Sequence, residues 1–451
     1  MLKRLATMLW GNFESKEELK KFGILALIFC GIIAIYWALR PMKDSIFNAM
    51  IGMEWQPVAK ILSLVIIFPI VILYSKLVDT FPRHKVFYFL TGLYGVIALV
   101  MFFCFSDSSI GLANTVKSPW RVLGWAWYIW VESFGSLMVA LFWAIVTDIT
   151  SPESAKRGFP LVALFGQIGN MVGPFFLNAK RLGFSNSAPV VGVLAILLFV
   201  IGFMFWVFMH VTPASQLKGY HPEGEAEEGE PGFFEGLKLL VTRGYLLGLF
   251  LIITIYEVIV TVLDFHFKMS VSTAFTNEAE VGAYLASYAT MTGLVSTLCV
   301  LFGINSIQRI LGMRASLLML PILTTAAVLL IKFNPQSLVI GFWIMVFSKA
   351  VNYALNQPTL KQLYIPTSKD TKYKAQAWIE MFGGRLSKGS GSYINTFRAP
   401  LVAHHGPIDG VARFLMFSSL ISFGLVGVWL LVAIYVAATY DKAIKEKRIV
   451  C

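Results

Sequence analysis

Residues 123–149 read LGWAWYIWVESFGSLMVALFWAIVTDI. As a helix this run is long enough to cross a hydrocarbon core of roughly 30 Å. In lipid the backbone has no water to bond to, and a helix satisfies every N–H and C=O internally. One carboxylate, Glu132, stands far from either end of the run, where its side chain cannot reach the interface. Comparable runs recur along the chain, at 22–40, 55–78, 84–105, 157–178, 187–212, 245–267, 281–306, 312–333, 337–357, 374–396 and 411–439. Together they predict an all-α polytopic membrane protein of twelve transmembrane helices. The eleventh run has the weakest hydropathy, because Arg385, Lys388 and several Gly and Ser residues fall inside it.

The composition agrees. The 451 residues are 57% apolar and 14% charged, against the roughly 25% charged residues of an ordinary soluble chain. The net charge of +12 is read as basic residues crowding the cytoplasmic loops rather than as a nucleic-acid surface, so no nucleic-acid partner is expected. Both termini are accordingly expected inside the cell, and the bilayer is the expected surrounding of a monomer. Residues 1–21 lack the pattern of a signal peptide, and their glutamates argue against a transit peptide. Cys30, Cys104, Cys299 and Cys451 have no metal-type spacing and suggest no disulfide framework, and no metal or cofactor is expected.

An acidic stretch with Glu223, Glu225, Glu227, Glu228 and Glu230 lies between the sixth and seventh runs. It reads as a solvated cytoplasmic linker over 214–240, dividing an N-terminal six-helix bundle, 1–213, from a C-terminal one, 241–451. After the second run comes Asp79-Thr-Phe-Pro-Arg83-His-Lys85, and after the eighth comes Arg309-Ile-Leu-Gly-Met-Arg314. A basic turn at matching places in two halves looks like the short cytoplasmic loop of the major facilitator superfamily. In carriers of that kind the substrate site lies near mid-membrane between the repeats.

Ionisable side chains inside apolar runs cost several kcal/mol unless they meet water or a partner, so each is a candidate for function. Arg40, Lys43 and Asp44 close the first run. They fit either a helix-end snorkel or a helix that continues and keeps Lys43 within the membrane. Glu132 fits either a structural pair with a cation on another helix or a transport role. Asp264 has Lys268 four residues on, so a local ion pair is one reading. Glu257 lies on nearly the same face. Lys349 is either a charge partner or an anion contact. Arg385 and Lys388 sit in Gly-Gly-Arg385-Leu-Ser-Lys388-Gly-Ser-Gly, which suits close helix packing or a phosphate cradle. The Gly-x-x-x-x-Gly-Lys-Ser order of nucleotide hydrolases is absent. Cations lining a cavity would suit a polyanion, and Trp127, Tyr284, Tyr288 and Tyr353 are candidates to stack on a purine, although packing is the commoner role of such rings. The histidines are scattered and no nucleophile–base signature is found, so no catalytic residue is assigned and the chain is not read as an enzyme.

Three segments carry a family resemblance: Leu39-Arg-Pro-Met-Lys43-Asp44, Val131-Glu132-Ser-Phe-Gly135-Ser136, and the stretch from Tyr364-Ile-Pro-Thr-Ser-Lys to Arg385-Leu-Ser-Lys388-Gly-Ser-Gly391. In these the chain resembles the ATP/ADP translocases, or nucleotide transporters, of plastids and intracellular bacteria. The resemblance implies exchange of ATP for ADP by alternating access across a bacterial inner membrane, with phosphate as a further co-substrate. It places the family's transport residues on Lys43, Glu132, Asp264 and Lys388. Arg40, Glu257, Lys349 and Arg385 complete the expected substrate-binding set. The chain departs from the family in having Pro41 where an Asp is common and Asp264 where a Glu is common. The competing expectation is proton-coupled symport of a nucleotide, NAD or another organic anion, with Glu132, Glu257 or Asp264 carrying the proton.

Overall fold

The computed structural model describes residues 13–217, 240–301, 305–368, 379 and 383–450. The acidic glutamates of the expected linker and residues 369–378 of the third resemblance segment lie outside these. The described residues contain helices and no strand. In chain order the helices are α1 (Lys16–Met50), α2 (Gln56–Thr80), α3 (Arg83–Ser106), α4 (Val122–Asp148), α5 (Pro152–Phe176), α6 (Ala188–Val211), α7 (Gly244–Ala274), α8 (Glu278–Leu301), α9 (Asn305–Phe333), α10 (Leu338–Val351), α11 (Gln357–Leu363), α12 (Gly384–Thr396) and α13 (Arg398–Glu446). Eleven helical stretches among them are long and apolar enough to span a bilayer. The last, Gly384–Glu446, contains residues 384–396 of the eleventh expected span and the whole of the twelfth, and is broken inside by Gly406 at φ 79°.

One departure from the hydropathy pattern is α1. It runs ten residues beyond the apolar run, through Pro41, to Met50. The extension is possible because Met42, Ile46, Phe47 and Met50 carry the buried face onward. Pro41 removes one backbone donor, which a membrane helix tolerates when neighbouring groups take up the slack. At the other end Ser15 caps the helix, its hydroxyl accepting from the Glu18 amide at 3.0 Å.

Packing divides the chain into two compact units. The first comprises residues 1–53, 65–224 and 275–293, and the second 54–64, 225–274 and 294–451. The start of α2 thus belongs with the second unit and the start of α8 with the first.

In the first unit α1 lies along α5 with almost nothing between them. A methyl at Gly169 would come within 2.4 Å of the Cys30 carbonyl oxygen, and one at Gly173 within 2.1 Å of that of Ala34. Small residues let membrane helices approach this closely, where van der Waals contact replaces the hydrophobic drive that lipid does not supply. Lys21, buried at the start of α1, donates to the carbonyls of Ile149 and Gln216 at 2.5 and 2.7 Å, covering the open C-terminal end of α4. The loop between α3 and α4 is folded about Arg121, whose guanidinium donates to the carbonyls of Ile110, Gly111, Asn114 and Val116. At its head Asp107 accepts from the Ser109 hydroxyl and from the amides of Ile110 and Ser109, which hold its carboxyl below the usual range.

In the second unit α7 packs on α12 and α13, with Gly391 of α12 lying close against the α7 backbone. A methyl there would stand 2.7 Å from the Val258 carbonyl oxygen. Between α10 and α11 the helix widens into a π-turn over Asn352–Asn356, a local form often retained at functional positions.

Candidate functional site

Each unit holds its own set of buried charges. In the first, Lys43 is 5% exposed and forms an ion pair with Glu132 of α4. Its ammonium also lies 4.4 Å from the centre of the Tyr128 ring. In the structure α1 continues past Lys43 to Met50, and the cation on another helix that meets Glu132 is Lys43. One turn earlier, Arg40 lies over the rings of Trp37 and Tyr36, at 4.9 and 5.6 Å. Such contacts hold a guanidinium where full hydration is lost.

A second carboxylate in this unit was not singled out from the sequence. Glu278 opens α8 and is buried. It accepts from the Ser45 hydroxyl at 2.5 Å and from the Ser187 amide and hydroxyl, both at 2.8 Å. Among the described residues no cation pairs with it. Its position just before the hydropathic run hid it, since that is where an exposed helix-capping acid is ordinarily found.

In the second unit the charges gather on Asp264. Lys268 reaches its Oδ2 at 2.6 Å, Lys349 its Oδ1 at 3.0 Å, and Lys60 stands 3.7 Å from Oδ2. The local Asp264–Lys268 pair expected from the four-residue spacing is therefore present, and Lys349 is also a charge partner of this carboxylate. The link of Lys60 to Asp264 crosses 204 residues of sequence, and no spacing rule could reveal it. Two turns before Asp264 on the same face, Glu257 lies 4.0 Å from Lys388. The Lys388 side chain is 52% exposed, and Arg385 makes no ion pair among the described residues. Ser387, between them, turns its hydroxyl back to the Gly383 carbonyl. Of the two cations on α12, Lys388 is therefore exposed and Arg385 partly exposed.

The aromatic candidates divide. Trp127 is fully buried, stacked on Trp130 at 5.2 Å with Phe105 edge-on at 5.3 Å. It is a packing residue and has no face left for a purine. Tyr288 is also buried, whereas Tyr353, in the π-turn, is exposed. No cluster of three or more His, Cys, Asp or Glu able to hold a metal occurs among the described residues.

The charge pattern can be set beside known proteins. Residues 1–440 match the family described as TLC ATP/ADP transporter. ADP,ATP carrier protein 1 of Rickettsia prowazekii is 26% identical over 92% of each chain. The chloroplastic ADP,ATP carrier protein 2 of Arabidopsis thaliana is 24% identical, covering 96% of this chain and 76% of the relative. Among solved structures, a bacterial homolog of the lysosomal transporter Spinster in an inward-facing, unoccupied conformation superimposes with a TM-score of 0.61 at 14% identity, over 95% of this chain and 99% of the other. A bacterial homologue of the iron transporter ferroportin also gives 0.61, at 12% identity, over 94% and 100%. At these identities the two structures show the fold alone, an all-helical arrangement shared over nearly the whole of each chain.

Proposed function

The chain belongs to the TLC ATP/ADP transporter family, and from that premise we propose that it exchanges ATP for ADP across a membrane by alternating access. The observation that supports this beyond family membership is the Lys43–Glu132 pair, in which the lysine is buried and the glutamate side chain is 35% exposed. Two ionisable groups deep in spanning helices are expensive to keep, and they are kept where a charged cargo must be met. Lys43, Arg40, Arg385, Lys388 and Lys349 are the groups we assign to the phosphates. Glu132, Glu257 and Asp264 act as counter-charges that hold these cations when no nucleotide is bound. Phosphate is the further co-substrate. The working form is a monomer in a bacterial inner membrane with both termini in the cytoplasm. No bond is made or broken, and the family is one of carriers, not enzymes.

The test is uptake of labelled ATP by liposomes containing the purified protein, loaded or not with ADP. Exchange requires uptake that depends on internal ADP. Lys388→Gln should abolish uptake while the protein still inserts and folds; normal uptake by that variant would remove Lys388 from the site.

One observation favours a second reading, proton-coupled symport. Glu278 is a buried carboxylate held by hydroxyls and an amide alone, an arrangement that can accept a proton without breaking an ion pair. Collapse of uptake by a protonophore, with no need for internal nucleotide, would establish it in place of exchange.

A further inference from the structure

Lys43 stands just beyond Pro41, and a proline leaves a weak point in a helix. Its nitrogen carries no hydrogen, so the Trp37 carbonyl loses its helical partner and the turns on either side can tilt against each other. The aim of the Lys43 side chain is therefore set less by the long first part of α1 than by what grips residues 42–50. On one face that grip is the ion pair with Glu132 of α4. Residues two apart on a helix differ by about 200° in direction, so Ser45 points the opposite way. There its hydroxyl donates to Oε1 of Glu278 at 2.5 Å. The first turns of α8 come so close that a methyl at Gly282, one turn after Glu278, would stand 3.1 Å from the Ser45 oxygen.

Glu278 is itself tied down. The amide and hydroxyl of Ser187, at the start of α6, donate to its two oxygens, both at 2.8 Å. All of these residues belong to the first unit, and Ser45, Ser187 and Glu278 are buried. A buried carboxylate that accepts three hydrogen bonds is a firm fixed point, because freeing a donor leaves it unpaired where no water replaces the lost partner. The end of α1 is thus clamped from two sides, by Glu132 on one and by Glu278 through Ser45 on the other.

We propose that Glu278 is a positioning residue for nucleotide binding: through Ser45 it holds the turn of α1 that aims Lys43, and through Ser187 it anchors that turn to the start of α6. The proposal rests on the nucleotide-exchange reading, which gives Lys43 its phosphate, and adds to it a residue that acts without touching substrate. Without the Ser45–Glu278 bond the turn samples other orientations, and the apparent affinity falls by the fraction of time that Lys43 is correctly aimed.

Exchange of external ATP for internal ADP by liposomes containing the full-length protein tests this, read as KM and maximal rate per folded protein. Ser45→Ala, which removes a single oxygen, should raise the KM for ATP about fivefold and keep the maximal rate within about twofold. Glu278→Ala should raise KM about tenfold, and the two changes together should do no more than Glu278→Ala alone, because they break one linkage. Calorimetric titration with ATP, which needs no turnover, then compares Lys43→Gln with Lys43→Gln/Ser45→Ala. The added change should cost less than about twofold, since no ammonium remains to be aimed. A merely structural clamp predicts a lowered maximal rate and melting temperature at unchanged KM, or an undiminished fivefold loss in the Lys43→Gln background; either result overturns the proposal. Exchange with wild-type KM in both Ser45→Ala and Glu278→Ala also overturns it and leaves the exchange reading intact. Should Glu278→Ala fail to fold, the Ser45→Ala comparisons decide alone. Uptake that ignores internal ADP, with the KM effects as described, would end the exchange reading and leave the positioning role standing.

Discussion

Lys43 makes two contacts of different kinds. Glu132 offers opposite charge, and the Tyr128 ring offers its negative face. Only the first can be removed without altering packing, which makes Glu132→Gln the informative change. The Gln retains a hydrogen-bond acceptor and removes the charge. Losing the partner of a buried cation costs about 3–5 kcal/mol. Because the Glu132 side chain is 35% exposed, water offsets part of this, and roughly 1–3 kcal/mol is expected. ATP uptake should fall at least about tenfold, the rate equivalent of the lower part of that range, with the melting temperature of the purified protein lowered by a few degrees. An unaltered uptake rate would make the pair a packing feature without a part in transport.

Residues of this class are legible in a sequence because a charge inside an apolar run has no ordinary explanation. Lys43, Glu132, Asp264 and Lys349 were conspicuous for that reason. Lys60 and Glu278 were not, since each lies near the edge of a run, where charges are common. Their partners, Asp264 for the one and Ser45 and Ser187 for the other, are set by tertiary packing that no local pattern encodes.

Among the elements, the α1–α5 contact offers a prediction whose sign is decided by geometry. In a solvent- or lipid-facing helix, Gly→Ala stabilises by up to about 1 kcal/mol, because glycine gives up more backbone entropy on folding. Gly92 of α3 is such a position, with nothing within 4 Å of the added carbon. Gly173 of α5 is the reverse, since its added carbon would meet the Ala34 carbonyl oxygen at 2.1 Å. Thermal unfolding in detergent should therefore show Gly92→Ala at or slightly above the wild-type melting temperature. Gly173→Ala should fall several degrees below it, the shift expected from an overpacking cost of about 1–3 kcal/mol. Equal melting temperatures for the two variants would mean that α1 and α5 are not in the close contact described.

Helix positions were readable from hydropathy because lipid imposes one rule on every spanning segment. Where helices end was less so. The first run was expected to stop at 40, but α1 goes to Met50, because its last turns are covered by protein rather than lipid and so tolerate Lys43 and Asp44. The π-turn at Asn352–Asn356 left no mark in the sequence pattern.

For the whole molecule, the bias of basic residues gives a topology that can be checked directly. In a cysteine-free background, Ser109→Cys in the α3–α4 loop should react with an impermeant thiol reagent added to intact cells. Thr80→Cys, at the end of α2, should react only after the membrane is opened. The opposite pattern would reverse the assigned orientation, and with it the direction in which ATP is gained.

The two compact units borrow from each other along the sequence: residues 275–293 complete the first and residues 54–64 the second. During synthesis the ribosome releases Ser45 and Ser187 long before Glu278, the carboxylate they hold. The early part of the chain must therefore wait in the bilayer with those hydroxyls unclaimed, and the first unit reaches its final form only when translation has passed residue 293. A gene cut within 218–239 and expressed as two polypeptides should yield fragments that accumulate together and are degraded singly, as pulse-chase labelling of each would reveal.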